Sequence, residues 1–280
     1  MHKLFIFFQY CLPQHLLSRL TGALADCQLV LVKNFLIRLF IRYYRVNMEE
    51  AQRQHAEDYV CFNDFFTRQL REGARPLSKL ANAVISPVDG SVSAAGKIDQ
   101  DQIFQAKGKS FSLQALLGGD AEMAALFRQG NFATLYLAPR DYHRIHMPFA
   151  GSLQKMTYVP GKLFSVNQNT ADNIDELFAR NERAVCLFQT AIGPMAVILV
   201  GALIVAGIET SWHGQVAPAK QKFTESYSAD SAVELGRGEE MGLFKLGSTV
   251  ILLFPEESIH WSDGLQKGAS VRLGQSIGNV

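Results

Sequence analysis

Ala184-Val185-Cys186-Leu187-Phe188-Gln189-Thr190-Ala191-Ile192-Gly193-Pro194-Met195-Ala196-Val197-Ile198-Leu199-Val200-Gly201-Ala202-Leu203-Ile204-Val205-Ala206-Gly207-Ile208 runs for 25 residues without a charged side chain. As one helix it would be long enough to cross a bilayer. Two features oppose that reading. Gln189 and Thr190 interrupt the run, and Gly193-Pro194 is a chain-reversal signal, because glycine admits dihedrals other residues avoid and proline lacks a backbone donor. The two halves, Ala184–Phe188 and Met195–Ile208, are rich in residues that favour strands. The stretch therefore predicts a β-hairpin buried in a sheet. From Ala83 to Val280 the same style continues, short apolar runs broken by Gly, Pro and Asp. A helix is expected over Leu113–Phe127 and a strand over Phe132–Ala138.

The N-terminal quarter reads differently. Residues 1–47 carry Lys3, Arg19, Lys33, Arg38, Arg42 and Arg45 against Asp26 alone, although the whole chain has a net charge of only +1. Leu4–Phe8 is apolar but is soon interrupted, no small-residue cleavage site follows, and no N-terminal run is long enough to span a bilayer. Over Gln28–Arg45, Asn34, Arg38, Arg42 and Arg45 stack on one helical face, with Leu29, Leu36, Ile37, Phe40, Ile41 and Tyr44 around the rest. That pattern fits a helix lying in an anionic membrane interface. A core-packing helix with a solvated edge is the plainer alternative. Met48–Arg75 is charged and helix-like, with Phe62, Phe65, Phe66 and Leu70 as core candidates, and Pro76 marks a boundary. The fold class expected is α+β: a helical membrane-associating module over 1–75, then a mostly antiparallel β-rich domain with a few helices over 76–280. The basic charge is too concentrated on an apolar segment to suggest nucleic acid. The four cysteines show no CxxC spacing, so neither a disulfide framework nor a zinc site is expected.

Three stretches carry chemistry. Ser86-Pro87-Val88-Asp89-Gly90 reads as a turn, in which Asp89 would be an ordinary turn former. Pro139-Arg140-Asp141-Tyr142-His143-Arg144-Ile145-His146-Met147-Pro148 follows a strand end and sets two histidines three apart. No matching cysteine or carboxylate cluster completes a metal site, and an acid–base pair makes better sense of imidazoles that titrate near neutrality. Phe244-Lys245-Leu246-Gly247-Ser248-Thr249-Val250 places a Gly-Ser bond between two strand-like runs. A deprotonated Ser248 hydroxyl could attack the Gly247 carbonyl and convert the amide to an ester. Elimination and hydrolysis would then leave a pyruvoyl group on a new N-terminus. On these residues alone, a corner in which Ser248 and Thr249 bond local backbone is the simpler reading.

The Leu246-Gly247-Ser248-Thr249 tetrad together with the Arg140–Pro148 block resembles the bacterial membrane-bound, pyruvoyl-dependent phosphatidylserine decarboxylases. Pro87–Gly90, Tyr158–Gly161, Phe164–Asn167, Phe178–Arg183 and Gly238–Val250 fit the same family, with Val88 standing where a small residue is common. The resemblance implies self-cleavage between Gly247 and Ser248 into a large chain (1–247) and a small chain (248–280), Ser248 becoming the pyruvoyl cofactor. It implies Asp89, His146 and Ser248 as the relay for that maturation and His143 as the decarboxylation histidine, with no metal. The pyruvoyl ketone would form a Schiff base with the amine of phosphatidylserine. Loss of carbon dioxide and reprotonation would then give phosphatidylethanolamine. A peripheral location on the cytoplasmic face of the cell membrane and a homodimer are also implied. Two alternatives stand beside it. Asp89, His146 and Ser248 occur in the order used by subtilisin-type hydrolases, although Ser248 lacks a G-x-S-x-G elbow, so a membrane-associated serine hydrolase is one. A non-catalytic, β-rich membrane-binding protein is the other.

Overall fold

The computed structural model describes residues 9–10, 12–203, 207–245 and 248–280. The charge-free stretch forms the expected hairpin. Strands Arg183–Thr190 and Gly193–Gly201 pair antiparallel from Arg183 opposite Val200 to Thr190 opposite Gly193. They lie inside a nine-stranded sheet. Its main path runs Phe223–Ser226, Gly151–Val159, Arg183–Thr190, Gly193–Gly201, Ser248–Phe254, Asn131–Leu137, Gly90–Lys97, Ser270–Val271. A second, four-stranded sheet runs Gly214–Ala217, Gly207–Thr210, Glu240–Lys245, Arg144–His146. The hairpin's second half thus stops at Gly201, and the chain re-enters through Gly207–Thr210 in the other sheet. Both pieces are apolar because both line one core: Val197, Leu199 and Ile208 are all buried in it.

Ser248–Phe254 is buried along its whole length and bonds Gly193–Gly201 on one side and Asn131–Leu137 on the other. Side chains alternate faces along a strand. Val250, Leu252 and Phe254 enter the core between the two sheets, with Leu137, Ile145 and Phe244. Ile251 and Leu253 enter a second core on the opposite face, beneath Phe111, Leu113 and Phe178. Ser248 shares the parity of Val250 and so belongs to the inter-sheet side. Glu240–Lys245 lies in one sheet and Ser248–Phe254 in the other; residues 246–247 lie outside the described residues.

The N-terminal module carries two long helices, α1 (Gln14–Ala25) and α2 (Val30–Tyr44). A third small core holds Ala25, Ile37, Val46, Tyr59, Phe62, Phe65 and Phe66. Leu36, Phe40, Ile41 and Met48 pack against it, while many of the module's other large apolar side chains face outward. Leu12, Leu16, Leu20 and Leu24 form one exposed row on α1 and the residues just before it, and Leu31, Phe35, Leu39 and Tyr43 form another on α2. Part of the polar side of α2 turns toward the protein: Asn34 is buried beside Lys33, while Arg38, in an exposed pair with Glu57, and Arg42 stay at the surface. The module is hooked to the β domain by glutamines: Gln14 accepts the Leu163 N–H at 2.8 Å, and Gln9 accepts the Ser165 N–H at 2.7 Å.

Two helical expectations need correction. Met48–Arg75 contains only a 3-10 turn at Ala56–Asp58 and the short helix Phe62–Phe66, because its charges are spent on tertiary pairs such as Arg53–Asp64 and Arg75–Glu50. The helix over Leu113–Phe127 is two, Leu113–Leu116 and Ala121–Ala125. Gly118 and Gly119 between them have φ of +73° and +90°, and Asp120 caps the second helix by accepting the Met123 N–H.

Candidate active site

Ser248 opens its strand opposite Leu137 and Gly201. It is fully buried, and its Oγ has no hydrogen-bond partner among the described residues. Buried hydroxyls are nearly always paired, so a bare one needs an explanation. Gly247, the other half of the expected cleavage bond, lies outside the described residues.

His143 sits in the turn that follows the neighbouring strand. The Ala138 carbonyl accepts the Asp141 N–H at 2.9 Å and also His143 Nε2 at 3.1 Å. Since a carbonyl only accepts, Nε2 carries the proton, and Nδ1 is left as a bare lone pair. Nδ1 is buried and unpartnered. The ring stacks on Phe66, with centroids 4.1 Å apart and planes at 25°. Burial, helped by the nearby Arg68 guanidinium, pushes His143 down to about 3. The imidazole is therefore neutral at physiological pH. The backbone fixes its level: Phe244 donates its N–H to the His143 carbonyl at 3.0 Å.

His146 lies elsewhere on the same strand pair, opposite Glu240. From Phe244 back to Glu240 is four residues, roughly 13 Å of strand. His146 Nδ1 donates to the Gly238 carbonyl at 2.9 Å, so Nε2 accepts from the Tyr142 hydroxyl at 3.1 Å. Burial lowers its pKa. The two histidine rings thus turn to different partners and do not form a joint metal half-site.

Asp89 is held by Arg75, which donates Nε to Oδ1 at 2.9 Å and Nη2 to Oδ2 at 2.5 Å, and by the Leu273 N–H on Oδ1 at 2.9 Å. That fork raises the Arg75 pKa. The resemblance implies a relay through Asp89 and His146; in the structure the Gly238 carbonyl takes the His146 Nδ1 proton, and no Asp89–His146 hydrogen bond forms. The two are linked through backbone, the His146 N–H donating to the Pro87 carbonyl at 2.9 Å.

Several neighbours escape a reading of the sequence. Asp141 accepts the Ala138 N–H at 2.7 Å and closes the turn that presents His143; burial raises its pKa. Pro139 and Asp141 were the available signal, a proline-led turn ended by an aspartate. Phe66 and Arg68 come from the N-terminal module, 70 or so residues from the His143 turn, Arg75 stands 14 residues before Asp89, and no local pattern points to them.

A family model described as phosphatidylserine decarboxylase matches residues 62–279, and a second, described as PSD, matches residues 4–45. The phosphatidylserine decarboxylase proenzyme of Ectopseudomonas mendocina is 55% identical over 281 residues, covering 99% of this chain and 98% of the relative. That of Hahella chejuensis is 53% identical over 278 residues, covering 99% and 94%. The chain belongs to the phosphatidylserine decarboxylase family. Membership in that decarboxylase family extends over both the helical module and the β domain. The expected α+β class is the one observed. The residues in place suit a pyruvoyl group at position 248: Ser248 Oγ at the head of its strand and His143 Nδ1 in the turn before Arg144–His146 are both buried and unpartnered among the described residues.

Proposed function

We propose that this protein decarboxylates phosphatidylserine to phosphatidylethanolamine after cutting its own Gly247–Ser248 bond and turning Ser248 into a pyruvoyl group. The observation that carries the reading is the buried, unpartnered Ser248 hydroxyl at the head of a strand, together with the buried His143, whose Nδ1 is also unpartnered. The relatives' name, proenzyme, points the same way. A pyruvoyl group supplies a carbonyl that takes up the substrate's amine and draws electrons from the bond to its carboxylate.

The chain's own residues do the rest. His143 Nδ1 is free to take and return a proton, while Nε2–H stays on the Ala138 carbonyl and holds the ring in one tautomer. Phe66 covers one ring face and keeps water away from it. Asp89 and His146 are the proposed maturation pair. With Asp89 gripped by Arg75, its influence on His146 is electrostatic rather than through a hydrogen bond. A serine hydrolase fits less well, because Ser248 has no access to solvent and neither His143 nor His146 is hydrogen-bonded to an aspartate among the described residues.

The membrane is the source of substrate. No helix among the described residues is long and apolar enough to cross it. The two exposed apolar rows of the helical module, and a groove of about 360 Å³ between α1 and α2 lined by Leu24, Leu36, Leu39 and Phe40, support peripheral attachment; the face proposed, from the family resemblance, is the cytoplasmic one.

Intact mass under denaturing conditions tests the proposal. The active wild type should give two chains, with the Ser248–Val280 fragment lighter than its serine form by one ammonia, while Ser248→Ala should remain a single inactive chain and His146→Ala should accumulate precursor. A single full-length mass from a preparation that releases carbon dioxide from phosphatidylserine would end the pyruvoyl reading.

A further inference from the structure

A cavity of about 240 Å³ opens beside the His143 turn and is lined by five arginines, Arg45, Arg68, Arg75, Arg140 and Arg272, against three carboxylates, Glu50, Asp89 and Asp141. Most of this charge is already matched. Arg75 is tied to Asp89 and Glu50, Arg272 stands 3.8 Å from Glu50, and Arg140 stands 3.9 Å from Asp141. Arg68 is different. It is 4% exposed, lies over the Phe65 ring and donates Nη2 to the carbonyls of Arg140 (3.0 Å) and Asp141 (3.3 Å). Its Nε and Nη1 have no partner, and among the described residues no carboxylate comes within ion-pair distance. A buried guanidinium without a counter-charge is costly, and burial lowers its pKa. Nε–H and the Nη1 hydrogens lie on different edges of the guanidinium, so Arg68 offers separate charge-assisted donors to an anion such as a phosphate or carboxylate.

We propose that Arg68 is a specificity residue that holds the phosphodiester of the lipid headgroup, with Arg45 and Arg140 at the rim of the same cavity. The inference rests on the decarboxylase reading. A phosphodiester fits better than the substrate carboxylate. The carboxylate loses its charge as carbon dioxide departs, so an arginine on it would stabilise the ground state more than the transition state. The phosphodiester keeps its charge throughout. The location agrees: Arg45 caps the C-terminal end of α2, whose outer face carries Leu31, Phe35, Leu39 and Tyr43, so the cavity lies where an apolar helix gives way to basic side chains. Arg68 also lies close enough to His143 to lower its pKa, so a phosphate held there sets the serine group toward the reacting atoms.

Binding that is equal in ground and transition states appears in KM rather than kcat. With the matured full-length enzyme and phosphatidylserine in mixed micelles, Arg68→Gln should raise KM about 10–100-fold with kcat nearly unchanged, the range expected for charge-assisted hydrogen bonds. Arg68→Lys should fall between, and Arg45→Gln, which leaves the Arg140–Asp141 carbonyl contacts intact, should raise KM by a few-fold. O-hexadecyl-L-serine keeps the amine and carboxylate but lacks the phosphate; its KM, or its inhibition constant if it is not turned over, should be the same in wild type and Arg68→Gln. In a Ser248→Ala background, glycerophosphoserine should bind by calorimetry, binding should vanish on adding Arg68→Gln, and it should survive Arg128→Gln, which removes an exposed charge elsewhere. Equal losses on both substrates, no loss on either, or no glycerophosphoserine binding would overturn the assignment. Wild type that releases no carbon dioxide from phosphatidylserine would instead overturn the decarboxylase reading itself.

Discussion

At the residue scale the site turns on one imidazole kept neutral. His143 has a folded pKa of about 3, below the 6.5 of the free side chain, so between those values the unfolded chain binds more protons than the native one. Stability then rises with pH across that window: the contribution is whole above 6.5 and is lost as pH falls toward 3. Replacing His143 with Gln removes this term. On going from pH 7 to pH 5, wild type should lose roughly 2 kcal/mol more than His143→Gln by denaturant midpoint; identical losses would mean that His143 is not buried neutral. The same variant should mature normally yet turn over about 10²–10⁴-fold more slowly, the usual contribution of a positioned acid–base group. The histidine pair His143 and His146 stood out by spacing, whereas Asp89 and Ser248 were singled out only through the family resemblance. None of the orientations was legible. Which carbonyl each ring nitrogen meets depends on Ala138 and Gly238, and what covers the ring depends on Phe66, none of which spacing alone can reveal.

At the element scale, strands were easier to read than helices. The Gly193-Pro194 reversal and the apolar run Phe132–Ala138 were local signals, and the strands Arg183–Thr190 and Asn131–Leu137 formed within two residues of the expected limits, whereas the run Met195–Ile208 is divided between two sheets. The helix over Leu113–Phe127 failed because Gly118-Gly119 outweighs the apolar periodicity around it, and the shortened pieces need an outside partner for their ends. Arg183 is that partner. It is almost fully buried and donates to the carbonyls of Ala115, Leu116, Ala179 and Asn181 at 2.6–2.8 Å, closing the C-termini of the helices Leu113–Leu116 and Leu177–Arg180 at once. Helix C-termini leave carbonyls unpaired and favour a cation. Burial brings the guanidinium down to about 10, so it stays charged at neutral pH. Arg183→Met keeps the bulk but strands these carbonyls, and should lower unfolding stability by about 2–4 kcal/mol. An unchanged urea midpoint would show that the four bonds contribute little.

At the scale of the whole molecule, the helical module inverts the usual arrangement. A surface helix normally turns its apolar stripe inward, yet α2 buries Lys33, Asn34 and Ile37 and exposes Leu31, Phe35, Leu39 and Tyr43, each more than half accessible. The sequence showed a basic stripe on an apolar helix but not which side faced out, because Arg38 finds Glu57 and Asn34 finds Lys33 only in the folded chain. An apolar row that no other part of the described chain covers is suited to acyl chains, each such side chain gaining roughly 1.5–3 kcal/mol when fully withdrawn from water. Changing Leu31, Phe35 and Leu39 together to Ser should therefore weaken binding to anionic vesicles by at least about 10²-fold, with little effect on the melting temperature because none of the three packs in a core. Turnover of phosphatidylserine presented in vesicles should fall with the binding, while turnover of a short-chain, water-soluble phosphatidylserine should not. Vesicle flotation that is unchanged in the triple variant would remove the membrane role from this face of α2, and a parallel loss on the soluble substrate would mean that the row supports the active site rather than the membrane.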